Sequence, residues 1–351
     1  MKQKGISGSK IALVYIGTVV GAGFATGQEI MQFFVAFGIS GLMGIMLATL
    51  LFVVYGIIIL NLGLRLAAES HLELIQHAGG KLFRSGMDIL IMVSLFGSLT
   101  AMLAGTGALF GQQFNLPPVL GSAIMAIITA LTVLRGLRGV LNAISAVVPF
   151  LLAAVIGISL FALFNAPAEP QAPIPVTEGG LMQNWLWAAI LYASYNILMA
   201  AAVLGPLGGA AANRRMAITG GALGGIGLGV ASLMIYLALR VSYADIQGLE
   251  VPILYLANQI TLSAGGLFSV VLFAEIYTTA VGSLYGFSAR LKRRRHQNTS
   301  KLIIWAAGLA FIASLFGFSN LVRYLYPLQG YGGLIFLVAL LIGRRHKLKH
   351  Y

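Results

Sequence analysis

The chain has no cysteine, so disulfides and thiolate metal sites are excluded. Charge is nearly as scarce: 9% of the 351 residues are charged, and only nine of these are acidic. Five histidines, His71, His77, His296, His346 and His350, show no metal-ligand spacing. No nucleophile–base pair, zinc motif or phosphate loop can be read, so enzymatic chemistry is not expected. Short alternating segments, the mark of a transmembrane β-barrel, are missing as well.

Long apolar runs take their place. The chain is 59% hydrophobic with a mean hydropathy of +0.92, and charge-free runs cover 30–64, 89–134, 139–168, 179–213, 216–239, 251–274, 302–322 and 324–343. A hydrocarbon core about 30 Å thick is crossed by roughly 20 helical residues. The run 89–134 therefore holds two spans, divided at the turn signal Asn115–Pro118. The pattern predicts an all-α integral membrane protein with ten spans: 10–36, 40–66, 86–113, 118–135, 140–164, 184–206, 216–240, 264–289, 302–318 and 322–343. The first run is too long for a signal peptide and lacks a cleavage site, so it reads as a retained span.

Basic residues agree with this count. With the N-terminus in the cytoplasm, all of the 22 lysines and arginines but Arg240 and Arg323 fall on the cytoplasmic side. Those two lie at outer helix ends, where long side chains snorkel. Outer loops hold Glu169, Glu178, Asp245 and Glu250. The net charge of +13 thus sets topology and does not indicate nucleic acid; "RLKRRRH" at Arg290–His296 is suited to anionic lipid at the cytoplasmic face. The implied location is a cell membrane, inner or plasma, with both termini inside.

Ten spans divide five and five, which sets the second half in the membrane upside down, a recurrent transporter plan. A single domain is expected over 1–351, with a first repeat at about 10–164, an outer linker at 165–183 and a second repeat at about 184–343. Residues 67–82 read as an amphipathic inner connecting helix, and 250–261 as a short outer helix resting on or covering a vestibule.

The first span contains "GTVVGAGFATGQEI", Gly17–Ile30. Its glycines fit small-xxx-small helix packing. Thr26 and Glu29, however, have the spacing of a capping box, in which threonine accepts from the amide three residues on and glutamate returns to the cap amide. A helix start in mid-membrane predicts a discontinuous span, with a break around Gly21–Ala25 and a second half from about Gly27. Backbone freed there is tolerated only against protein or a water-filled cavity. The matching span six holds Tyr192, Ser194, Tyr195 and Asn196, which bind a ligand, rescue unpaired backbone or bond to neighbouring helices. It is expected to be broken as well.

Two carboxylates lie deep, Glu29 and Glu275, each costing at least about 2.5 kcal/mol on insertion scales. Glu29 has the cap role. Glu275 shares a helical face with Thr278 and Thr279, a set that forms an oxygen site for a small cation, a proton carrier, or a structural bond to a neighbouring helix. Asp88 reads as a helix-start residue. Trp185, Trp187, Trp305, Tyr324 and Tyr326 sit at span ends, as interfacial anchors do.

With these residues in view, the chain resembles the APC superfamily, the broken-helix transporters with the LeuT-type fold. Within it, "GTVVGAGFATGQEIMQFFVAFGISG" is similar to the span-one signature of the YkvI family of bacterial membrane proteins. The resemblance implies discontinuous helices one and six and a central site reached from alternate sides. It implies a substrate carboxylate on the amides of Gly21, Ala22 and Gly23, next to Thr26, with span-six contacts from Tyr192 to Asn196. It also implies Na⁺ held by Gly17, Val20, Thr278 and Thr279 together with the carbonyl of Glu275. Some proton-coupled relatives use a span-five lysine, which 140–164 lacks. A small residue is usual where Glu275 stands, so a proton on Glu275 or Glu29 is the alternative to Na⁺. The function implied is secondary transport of an amino acid or similar zwitterion. An exporter, and more remotely a sensor or channel on the same scaffold, are the other readings.

Overall fold

Helix ends in this chain are set by a few residues that break or cap the apolar runs. The structure, a computed structural model, describes residues 5–135, 140–166, 181–295 and 299–347. Most of the linker 165–183, together with Lys2, Lys4, Arg138 and His296, lies outside the described residues.

The first span is three pieces: α1 (Gly8–Val19), α2 (Ala22–Ala25) and α3 (Gln28–Phe33), followed by one 3₁₀ turn at Val35–Phe37. Then come α4 (Ser40–Leu66), α5 (His71–Phe114), α6 (Pro118–Arg135), α7 (Val140–Phe164), α8 (Trp185–Gly209) and α9 (Arg214–Val241). Two short helices, α10 (Tyr243–Ile246) and α11 (Pro252–Ile260), precede α12 (Leu262–Arg295), α13 (Thr299–Ser314) and α14 (Phe318–Lys347). Among the described residues eight helices are long and apolar enough to cross a membrane. The first and ninth expected spans hold the shorter apolar helices α1 and α13.

Local chemistry accounts for the ends. Asn115 closes α5 in the left-handed region (φ 53°), which asparagine tolerates, and Pro118 opens α6 where its missing N–H costs nothing. Asn184 and Asn213 cap α8 and α9 by accepting from the Trp187 and Met216 amides, both at 3.0 Å. The corner before the last helix falls at Gly317 (φ 90°), several residues earlier than the charge pattern predicts. Leu315 and Phe316 hide that corner inside an apolar run. The amphipathic stretch expected at 67–82 is helical from His71, and non-helical backbone at Gly80 (φ 77°, ψ −167°) sets it off from the membrane span that follows, the two together making up α5.

Glycine contact faces bring the helices together. On α9, a side chain at Gly220 or Gly224 would collide with Ile11 or Tyr15 of α1. One turn round, Gly221 and Gly225 abut the Ile57 and Val53 backbone of α4. Gly63 of α4 meets Gly205 of α8 backbone to backbone, and Gly330 and Gly333 of α14 press on Leu191 and Ser194 of α8. In lipid such contacts replace the hydrophobic driving force between helices. They centre the bundle on α8, whose span window is 78% buried, against 22% for Val147–Phe164 of α7.

Candidate functional site

Span one breaks at two places. Val20 (ψ 101°) and Gly21 (φ −118°, ψ −170°) are extended, and the last bond of α1 runs from the Val20 amide to Ile16 O at 2.8 Å. The Ala25 and Thr26 amides then reach back to Gly21 O and Ala22 O, at 2.9 and 2.8 Å. The end carbonyls of α1 and the first amides of α2 are left outside the helical ladder. Gly21 is partly exposed, and the position its Cβ would take has no atom within 4 Å. Open space therefore adjoins unpaired backbone. The expected break is present, though narrower than Gly21–Ala25.

The second break, at Gly27 (φ 82°), corrects the capping box. Gly27 and not Thr26 stands at the helix start, which moves Glu29 one place too early to close the box. Thr26 Oγ1 donates to Gly23 O at 2.9 Å and accepts from the Gln28 amide at 3.3 Å. The Thr26 carbonyl accepts from the Ile253 amide of α11 at 3.1 Å. The outer helix is therefore docked on the break.

Glu29, released from capping, turns into the bundle. The Tyr195 hydroxyl of α8 donates to its Oε2, and its Oε1 lies where a side chain on Gly23 would begin. Aromatic rings enclose the pair. Phe33 lies 5.4 Å from Tyr192 and 6.0 Å from Tyr195, and Phe34 lies 4.9 Å from Tyr192. Tyr326 stands 5.2 Å from Tyr195 and is buried, so it is part of this wall and no interfacial anchor. Trp305 and Tyr324 are exposed, as anchors should be.

Span six is continuous, contrary to expectation. Ser194 Oγ donates to Ile190 O at 2.6 Å, and Asn196 Nδ2 to Tyr192 O at 3.0 Å. Both polar groups return to their own helix, and 186–204 holds no glycine at which to open. The structure therefore brings Tyr195 and Tyr192 to Glu29, while Ser194 and Asn196 serve α8 itself.

The second carboxylate is held differently. Thr278 Oγ1 donates to Glu275 O at 2.9 Å, and Thr279 Oγ1 lies 3.5 Å from Glu275 Oε1. Glu275 Oε2 is buried without a hydrogen-bond partner. A lone carboxylate oxygen in such a place requires a proton or a cation. Both threonine hydroxyls bond to Glu275 within their own helix. Gly17 of α1 faces Val148. Among the described residues no three His, Asp or Glu side chains gather as a metal site.

Polar clamps lie on either side of these groups. On the face opposite the N-terminus, Gln112 pairs with both backbone groups of Val251, at 2.8 and 3.1 Å, and Asn258 donates to Gln113 at 3.0 Å. Glu250 there accepts from the Ser319 amide at 3.1 Å. Beside them is a cavity of about 350 Å³ lined by Gln28, Gln32, Ser319 and Arg323. On the N-terminal face, Ile6 bonds to the backbone of Ala210 and Ala212, and Arg290 meets Asp88 at 3.4 Å and His71 at 3.1 Å. Asp88 is thus no helix start; it lies inside α5 and is buried. The consecutive glutamines at 112–113, ending an apolar run, were the sequence signal for the clamp opposite the N-terminus.

Comparison with known proteins supports the architecture. No protein-family model matches the chain. The uncharacterized membrane protein YkvI of Bacillus subtilis is 29% identical over 97% of this chain and 97% of its own. The uncharacterized protein YyaD of the same organism is 29% identical over 96% of each. Among solved structures, Mhp1 in an inward-facing conformation superposes with a TM-score of 0.66 at 13% identity, over 95% of this chain and 76% of its own. A manganese transporter of Eremococcus coleocola gives 0.61 at 15% over 95% and 78%. A Na⁺-coupled sialic acid symporter gives 0.61 at 13% over 97% and 82%. These neighbours are transporters and not enzymes. The chain is a multi-pass membrane protein similar to YkvI over 97% of its length, with the LeuT-type fold.

Proposed function

We propose that the protein is a secondary active transporter that moves an amino acid or similar small zwitterion by alternating access. It lies in the cell membrane with ten spans and both termini in the cytoplasm. The observation that carries this reading is the break at Val20–Gly21. Unpaired backbone and open space adjoin there, and a buried carboxylate stands over Gly23 two residues on, with clamps on opposite faces of the bundle. A polar site set between two tied faces suits neither a channel nor a lipid anchor; releasing one clamp at a time exposes it to each side in turn.

The coupling ion in this reading is Na⁺, bound by Gly17, Val20, Thr278, Thr279 and Glu275, and the Na⁺ coupling of one structural neighbour supports it. Proton coupling is favoured by a separate observation: Glu275 Oε2 has no partner, and both nearby hydroxyls are already turned onto Glu275. Uptake of a panel of amino acids into proteoliposomes, with Na⁺ and pH gradients imposed separately, tests the function. Saturable uptake under one gradient is expected. Na⁺ drive weakened by Thr278→Ala and Thr279→Ala assigns sodium, and pH drive lost in Glu275→Gln assigns the proton. Absence of gradient-driven uptake for every amino acid contradicts the reading.

A further inference from the structure

Glu29 is a buried carboxylate without a cation. Its Oε2 is occupied by the Tyr195 hydroxyl, while Oε1 receives no hydrogen bond among the described residues and, unlike Glu275 Oε2, is not sealed from solvent. The residue is only 6% exposed. Among the described residues, the one ion pair is Arg290–Asp88 on the N-terminal face. A carboxylate with so little contact with water is only partly compensated by one hydroxyl, and a proton or cation completes it. The rings of Phe33, Tyr192, Tyr195 and Tyr326 wall the place, and ring faces also attract cations. Two residues before Gly23, open space adjoins the backbone, with nothing within 4 Å of the position a Cβ on Gly21 would take.

We propose that Glu29 Oε1 binds the ammonium group of the transported solute, so that the site takes primary organic amines whether or not they carry a carboxylate. The proposal rests on the transporter reading above and deepens its substrate class. A substrate carboxylate was expected on the amides of Gly21–Gly23. The protein's own carboxylate now stands over Gly23, and a second anion beside it is repelled. The solute's positive end completes the site, and its acid group becomes dispensable.

Binding to the purified full-length protein, followed by isothermal titration calorimetry, tests this. The probes are L-alanine, L-leucine and L-phenylalanine, the amines lacking their carboxyl groups (ethylamine, 3-methylbutylamine, 2-phenylethylamine), and the three N-acetyl amino acids. At least one amine is expected to bind, with its N-acetyl counterpart weaker by about tenfold or more. Glu29→Gln should weaken that amine by about a hundredfold, and Glu29→Asp should retain part of the affinity if the glutamine variant fails to fold. The proposal is overturned if no amine binds, if N-acetyl compounds bind equally well, or if Glu29→Gln binds unchanged. It is also overturned if Na⁺ alone binds in a Glu29-dependent way while amines do not. An amino acid that is transported while every amine is inert removes this proposal and leaves the transporter; no saturable transport of any probe removes both.

Discussion

At the scale of single residues, two glycines two positions apart make opposite demands. Gly21 faces open space in an extended conformation that any residue adopts, whereas a side chain on Gly23 collides with Glu29. Gly21→Ala is therefore expected to stabilise the protein by about 0.4–1 kcal/mol, since it restricts the unfolded chain without a clash. Gly23→Ala should destabilise it by about 1–3 kcal/mol by displacing the carboxylate held by Tyr195. Thermal melting of the two variants side by side decides this, and equal shifts would contradict the placement of Glu29. Glu275→Gln removes a charge whose Oε2 has no partner, so it should melt no lower than the parent. A marked loss of stability would mean that Glu275 makes a structural bond instead of holding a transported ion. The threonine neighbours of Glu275 were legible as one helical face, but the surroundings of Glu29 were not. Glu29 and Tyr195 are 166 positions apart, and a one-residue shift at Gly27 changed a helix cap into a core contact.

At the scale of elements, breaks follow glycines more than polarity. Span one opens at Gly21 and Gly27, while span six keeps one helix through Tyr192–Asn196 because its polar groups satisfy themselves on their own turns. Length and apolarity made most helices readable: α4 and α6 occupy the expected 40–66 and 118–135. The docking of α11 was not readable, since its partners come from distant segments. Gln112→Ala leaves the Val251 N–H unpaired, while the Val251 carbonyl keeps the Leu254 amide, at a cost of about 1–3 kcal/mol. Hydrogen exchange should then quicken in α11 by about tenfold or more and stay unchanged in α4. Uniform exchange across both helices would show that α11 is not held by this clamp.

At the scale of the whole molecule, the two clamps are what alternating access, as proposed, must break. One face is tied by Gln112–Val251 and Glu250–Ser319, the other by Ile6 with Ala210 and Ala212 and by Arg290–Asp88. Between them lie Gly21, Glu29 and Glu275, on a fold shared with known transporters. The central claim is that this site carries a solute from one side to the other. Solute counterflow tests it most directly: proteoliposomes preloaded with unlabelled amino acid are diluted into trace labelled amino acid, with no ion gradient. The account predicts a transient, saturable accumulation of label that is lost in Glu29→Gln. Label that enters in simple proportion to its concentration, or fails to enter for every amino acid, would contradict it.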